Sequence, residues 1–194
     1  LRDPLVDLER RGKLHGKDVD GIQVDTPDIN FRPAKTFPGW WAPDLVNRGI
    51  PYQWGGFSTL EEFDAGIAAG KAAGDICTGE KRSKLDDAVS QHAVGIDCSG
   101  FVSRCWQLPR SFSTRELPLL CEPLTNYDDL QAGDILNTHN AHVVLFDSWY
   151  DSARTYFICY ETGSPPTWKV QRHGLRTAQI KELGYKAYRY RNIR

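Results

Sequence analysis

A cysteine and a histidine can together cleave an amide bond, provided that the sulfur is activated and a third group orients the imidazole. The chain of 194 residues carries five cysteines and five histidines. Cys98 has the most suggestive surroundings, within Gly95-Ile96-Asp97-Cys98-Ser99-Gly100-Phe101-Val102-Ser103. Gly95 and Asp97, ahead of it, are poor helix-interior residues. Behind it, Phe101, Val102, Cys105 and Trp106 form the stripe of a helix with one buried face. The pattern predicts a helix from about Cys98 to Gln107, ended by Leu108-Pro109. Cys98 then occupies the first turn, where unpaired N–H groups and the positive dipole end favour a thiolate, the nucleophilic form. A small buried cysteine without chemistry has the same local pattern. Its companions decide between the two.

The other cysteines, 77, 105, 121 and 159, show no CxxC or other metal-ligand spacing, so no metal or cofactor is expected. The odd count fits one reactive thiol and four others, reduced or joined in up to two bridges. Among the histidines, His15, His92 and His173 lie in polar or charged stretches and read as exposed. His139 and His142 stand at the mouth of the apolar run Val143-Val144-Leu145-Phe146, where a strand can present a base to a facing helix. His142 adjoins the run and is preferred to His139 in the loop before it. The orienting group should come from the next strand. A hairpin centred near residue 151 sets His142 opposite residues 160 to 161, with Glu161 the best chemical candidate and Tyr160 or Cys159 the alternatives.

The elements that must position these groups are read from periodicity and turn residues. Residues 1–48 hold Pro4, Pro27, Pro33, Pro38 and Pro43 and read as an irregular arm, helical only over Pro4 to Arg11, that packs through Phe31, Phe37, Trp40 and Trp41. Leu60 to Ala73 reads as a helix with Leu60, Phe63, Ile67 and Ala68 on one side. Gly79 to Lys84 reads as a polar loop and Leu85 to Val89 as a short helix. Leu130 to Leu136 is a turn feeding a strand, and His142 to Asp147, Thr155 to Glu161 and Tyr185 to Arg191 are strands. Helices first and strands afterwards predict an α+β fold, with the helix of Cys98 packed on an antiparallel β-sheet.

Size allows one domain with an N-terminal extension. A net charge of −1 with 25% charged residues argues against nucleic acid or an anionic membrane as partner. No apolar run is long enough for a membrane span. The chain opens on Leu1-Arg2-Asp3-Pro4 without a signal peptide and contains no methionine, as expected of a trimmed or processed product.

Asp97-Cys98-Ser99-Gly100-Phe101-Val102, with Pro51-Tyr52-Gln53-Trp54-Gly55-Gly56 ahead of it, resembles the NlpC family of papain-like cell-wall cysteine peptidases. Leu108-Pro109-Arg110-Ser111, Leu130-Gln131-Ala132-Gly133-Asp134-Ile135 and His142-Val143-Val144 follow in the family's order, over roughly residues 49 to 161. The resemblance implies a papain-like catalytic domain over 49–194, with Cys98 as nucleophile, His142 as base and Glu161 as third member. It further implies a peptidoglycan-derived peptide as substrate, cut between γ-D-glutamate and a diamino acid in a secreted, periplasmic or wall-associated setting. By the same analogy Tyr52 lies near the oxyanion position, Asp97 and Ser99 hold the free amine or backbone of the stem peptide, and Arg110 and Ser111 line the groove.

Two features depart from the family pattern. Residues 57–96 form an insertion ahead of the nucleophile, and its Lys81, Arg82 and Lys84 could meet an acidic substrate or form a solvated loop. Glu161 stands where members carry histidine, asparagine or glutamine. The rival readings are a papain-like deamidase, transglutaminase or acyltransferase, and a catalytically silent module binding wall peptides around Trp40 and Trp41.

Overall fold

Residues 25–28, 40–42, 45–84, 88–163 and 168–192 are described by a computed structural model. The chain divides into two compact units, Leu1–Asp97 with Gly163–Lys169 and Cys98–Thr162 with Val170–Arg194. The first takes in both the expected arm and the expected insertion. The expected helix at Pro4 to Arg11, the packing of Phe31 and Phe37, and residues 85–87 of the expected short helix lie outside the described residues.

In the first unit, helix α1 (Leu60–Ala68) starts at a capping box: the Glu62 amide donates to Thr59 Oγ1 at 3.1 Å, and the Thr59 amide donates to Glu62 Oε2 at 2.8 Å. The helix stops five residues short of the expected Ala73. Gly70 takes φ +84° and the Lys71 amide turns back to the Gly66 carbonyl at 3.0 Å, an ending that glycine permits. Ala72–Ala73 is instead a strand, β1. Phe63 and Gly66 form the buried face of α1, whereas Leu60, expected on that face, is exposed. Phe63 packs with Trp41, Ala73 and Val94, the Trp41 and Phe63 rings meeting edge-on at 6.0 Å.

Gly79–Lys84, expected as a loop, is a short helix, α2. Its reason is Lys81, which is 1% exposed and therefore neither solvated nor free to meet a substrate. The ammonium donates to Asp75, to Asp25 Oδ2 at 3.3 Å and to the Ile76 carbonyl at 3.0 Å. These partners offset the cost of burying the charge, and the helical turn carries the side chain inward to them. Ala93–Val94 (β2) pairs in parallel with β1.

In the second unit, helix α3 (Cys98–Cys105) precedes strands β3 (Cys121–Leu124), β4 (Ile135–Asn137), β5 (Val143–Trp149), β6 (Tyr156–Glu161), β7 (Gln171–Arg176) and β8 (Lys186–Tyr190), with helix α4 (Thr177–Glu182) between the last two. The six strands form one antiparallel sheet in the order β3-β8-β4-β5-β6-β7. Alternation along the strands gives each face its own core. Ile135, Val143 and Leu145 pack with Cys98, Val102 and Trp106 of the helix segment. Leu136, Val144, Phe146, Phe157 and Cys159 pack on the other face with Ile180 of α4. The expected helix-on-antiparallel-sheet arrangement is therefore present.

Two side chains lock the ends. Trp106 stacks on Tyr190 at 4.6 Å and its indole N–H donates to the Gly133 carbonyl at 3.0 Å. Asp134, fully buried, accepts from Arg189 at 3.0 and 2.7 Å and from the Gln131 amide at 2.8 Å, joining the turn before β4 to β8.

Candidate active site

Cys98 is the first residue of α3 and is 7% exposed. Ser103 holds the helix in place: its hydroxyl donates to the Ser99 carbonyl at 2.8 Å and accepts the Phe112 amide at 3.0 Å. His142 stands just ahead of β5. Its backbone is fixed by Thr138, whose amide donates to the His142 carbonyl at 2.8 Å and whose Oγ1 accepts the His142 amide at 3.0 Å. The alternative, His139, is exposed in the preceding turn.

His142 Nε2 lies 2.7 Å from Glu161 Oε2, which commits that nitrogen to the carboxylate and leaves Nδ1 for the Cys98 sulfur, the imidazole's other hydrogen-bond partner. Glu161 is 4% exposed at the end of β6. Its register differs from the expectation. Leu145 pairs with Tyr160, so one step on Glu161 faces Val144 and is diagonal, not opposite, to His142. The cause is the turn, since Ser148 pairs with Ile158 and Trp149 with Phe157, later than the expected hairpin allows, and the irregularity between Phe146 and Ser148 takes back only one residue of that offset. Tyr160, on the other face, packs against the helix core, and Cys159 is fully buried.

Burial alone would lower the His142 imidazole. The charge of Cys98 and the hydrogen bond to it, followed by the hydrogen bond and charge of Glu161, outweigh burial and hold the imidazole at about 10. The site thus keeps a proton on His142 at neutral pH. Because this value is raised, the linked stability is fully present below the ordinary 6.5 and is lost as pH rises through about 10. Substituting Glu161→Gln removes the carboxylate charge and leaves only a neutral acceptor for the imidazole, so the His142 titration should move acidwards. The alkaline limb of the pH–rate profile, followed by hydrolysis or by alkylation of Cys98, reads this shift. An unmoved limb would show that Glu161 does not act on His142.

Tyr185 closes another side. Its ring meets the His142 ring edge-on at 6.4 Å and 90°. Burial pushes its phenol up to about 12, aided by the charges of Glu161 and Cys98, so it stays neutral. Neither Tyr185 nor His173 was among the residues expected here. His173, expected to be exposed, is half-buried on β7 with Nε2 2.6 Å from Glu161 Oε1, close in distance though poorly directed for a hydrogen bond. The surrounding Gln171, Arg172 and Arg176 disguise it, because a charged stretch reads as a solvated one. A histidine two places along from Gln171, the residue paired with Glu161, could have been found only with the β6–β7 register in hand.

The remaining expected residues fall as follows. Ser99 is on α3 and buried. Arg110 is exposed and ion-paired with Glu116 at 2.8 Å, donates to the Ser111 carbonyl at 2.8 Å and lies 3.7 Å over the Phe112 ring. Tyr52 belongs to the first unit, where it is buried, its amide donates to the Trp168 carbonyl at 2.7 Å and its ring meets Trp168 at 5.4 Å. Asp97 closes that unit, its amide donating to the Gly56 carbonyl at 3.0 Å.

None of the five cysteines is joined in a disulfide. Burial pushes Cys105 up to about 11 and Cys121 and Cys159 up to about 12, so these three stay thiols. Among the described residues no group of three or more His, Cys, Asp or Glu side chains could hold a metal ion, and no helix is long and apolar enough to cross a membrane. No family model matches the chain, and neither the curated proteins nor the solved structures give a match.

Proposed function

We propose that the protein is a cysteine peptidase of papain-like type that hydrolyses peptidoglycan stem peptides between γ-D-glutamate and a diamino acid. The observation that carries the chemistry is the set Cys98, His142 and Glu161, with Nε2 committed to the carboxylate and the proton held on the imidazole. The substrate rests on the sequence resemblance to the NlpC family.

The cycle is acyl transfer. The Cys98 sulfur attacks the amide carbonyl, and the Cys98 backbone N–H at the start of α3 donates to the developing oxyanion. The C–N bond breaks as His142 gives its proton to the leaving amine, which becomes the free amine of the diamino acid. His142, now neutral, takes a proton from water, and the hydroxide displaces the sulfur from the thioester. Glu161 keeps the imidazole in one tautomer and offsets its charge. Every electron pair and proton is supplied by the chain or by water.

Incubation with L-alanyl-γ-D-glutamyl-diaminopimelyl-D-alanine should release L-alanyl-D-glutamate and one new amine per cleavage, read by mass spectrometry and amine labelling. An intact stem peptide alongside turnover of a protein glutamine would replace this reading with the transferase one.

A further inference from the structure

Glu161 offers two oxygens to two histidines. Oε2 lies 2.7 Å from His142 Nε2 and Oε1 lies 2.6 Å from His173 Nε2. The topology makes this possible. Strand β6 runs between β5 and β7, His173 pairs with Cys159, and Glu161 is therefore diagonal to His173 on one side as it is to His142 on the other. The carboxylate is 5% exposed, whereas His173 keeps 31% exposure on the sheet's edge strand.

We propose that His173 is a positioning residue, holding the second oxygen of Glu161 and thereby fixing the carboxylate plane that orients His142. The inference rests on the reading of Cys98 and His142 as nucleophile and base. A glutamate has three side-chain torsions, and a close polar contact at each carboxylate oxygen restricts them more than a contact at one. The approach of His173 to the second oxygen narrows the pivot about the first and offsets part of the cost of burying the anion. Glutamate in this place thus needs an attachment that a short amide or a ring would not, and His173 supplies it from the neighbouring strand.

The titratable groups facing His173 are Glu161 and Cys159 on β6. On its own strand, Arg172 is engaged by Asp147 at 2.6 Å and lies over the Tyr160 ring. Arg172 and His173 alternate across the sheet, so the guanidinium does not compete for Glu161.

The experiment compares wild type with His173→Ala, His173→Phe and His173→Gln by three measurements: turnover of the stem peptide, alkylation of Cys98 by iodoacetamide, and NMR titration of His142. The alanine and phenylalanine variants should lower kcat about tenfold with KM within about twofold, as expected for a misplaced catalytic group. Their His142 titration should move acidwards, in the direction set by loss of Glu161. The glutamine variant retains an N–H for Oε1 and should restore kcat and titration nearly to wild type. The phenylalanine variant keeps the ring's bulk, so it carries the test should the alanine variant fail to fold. An unchanged His142 titration and alkylation rate in His173→Phe would overturn the proposal, as would equal loss in the glutamine variant. If wild type is alkylated at Cys98 yet leaves the stem peptide intact, only the substrate reading fails, and the alkylation and titration arms still judge His173.

Discussion

Replacing Cys98 with alanine should abolish hydrolysis, a loss on the order of 10⁴-fold or more, with the fold retained. Neither of the other buried sulfurs can take over. Cys121 and Cys159 are 1% and 0% exposed, and burial keeps both as thiols far above neutral pH. Cys98 contributes one sulfur to a core built by Val102, Trp106, Ile135, Val143 and Leu145. Deleting that atom from such a cluster costs about 1 kcal/mol, well within the stability of a domain. The variant should therefore melt within a few degrees of wild type while releasing no amine. A second signature follows from the electrostatics. Cys98 is the strongest influence raising His142, so in Cys98→Ala the imidazole should titrate at lower pH than in wild type. Residual turnover above one part in a hundred would remove Cys98 from the role of nucleophile.

The largest stability effect is expected in the first unit, at Lys81→Met. The methionine fills the space of the buried chain but leaves Asp75 without its cation. Asp75 is 1% exposed, and its carboxyl is already pushed up to about 6, burial outweighing the influence of Lys81. Breaking one side of a buried pair costs about 3–5 kcal/mol. The pH dependence separates this from a packing defect. A carboxyl raised above its unfolded 3.8 contributes stability that is present below that value and lost as pH rises through the folded value. Without Lys81 the folded value climbs further, so the variant should lose stability over a wider span of rising pH. The gap to wild type should be small near pH 4 and largest at neutral pH, as read by denaturant unfolding at each pH. A gap independent of pH would mean that Lys81 matters through its methylenes rather than its charge.

The parts of the fold that could be read from sequence are those whose local chemistry agrees with their place in the structure. Val143-Val144-Leu145-Phe146 and Tyr156 to Glu161 are β-branched and aromatic because both faces of the sheet are covered there. The helix of Cys98 announces itself through Val102 and Trp106. Strands β3 and β7 do not, because they are the two edges of the sheet. Cys121-Glu122-Pro123-Leu124 contains a proline that an edge tolerates, and Gln171-Arg172-His173-Gly174 carries polar residues that an edge favours. Lys81 misled for a similar reason. A charged run reads as solvated unless the buried Asp75, six residues earlier, is known to meet it.

At the site, residue chemistry singled out Cys98, His142 and Glu161, and the structure brings these three together within one unit. The geometry of their meeting was not legible. The diagonal relation of Glu161 to both histidines depends on the shifted register near Asp147 and on the pairing of β6 with β7, neither of which leaves a mark on the local sequence.

Strand β8 lies inside the sheet, between β3 and β4, although it is the last of the described strands. During synthesis this reverses the usual order in which an N-terminal part matures while later parts are still being made. When Glu161 has left the ribosome, Cys98, His142 and Glu161 all exist, yet β3 and β4 still lack the strand that joins them. The first unit waits as well, since Gly163–Lys169 follow Glu161 in translation. The sheet therefore closes only once Lys186–Tyr190 have been made, so that a ribosome-stalled product ending near residue 170 should carry Cys98, His142 and Glu161 but lack the strand that joins β3 to β4.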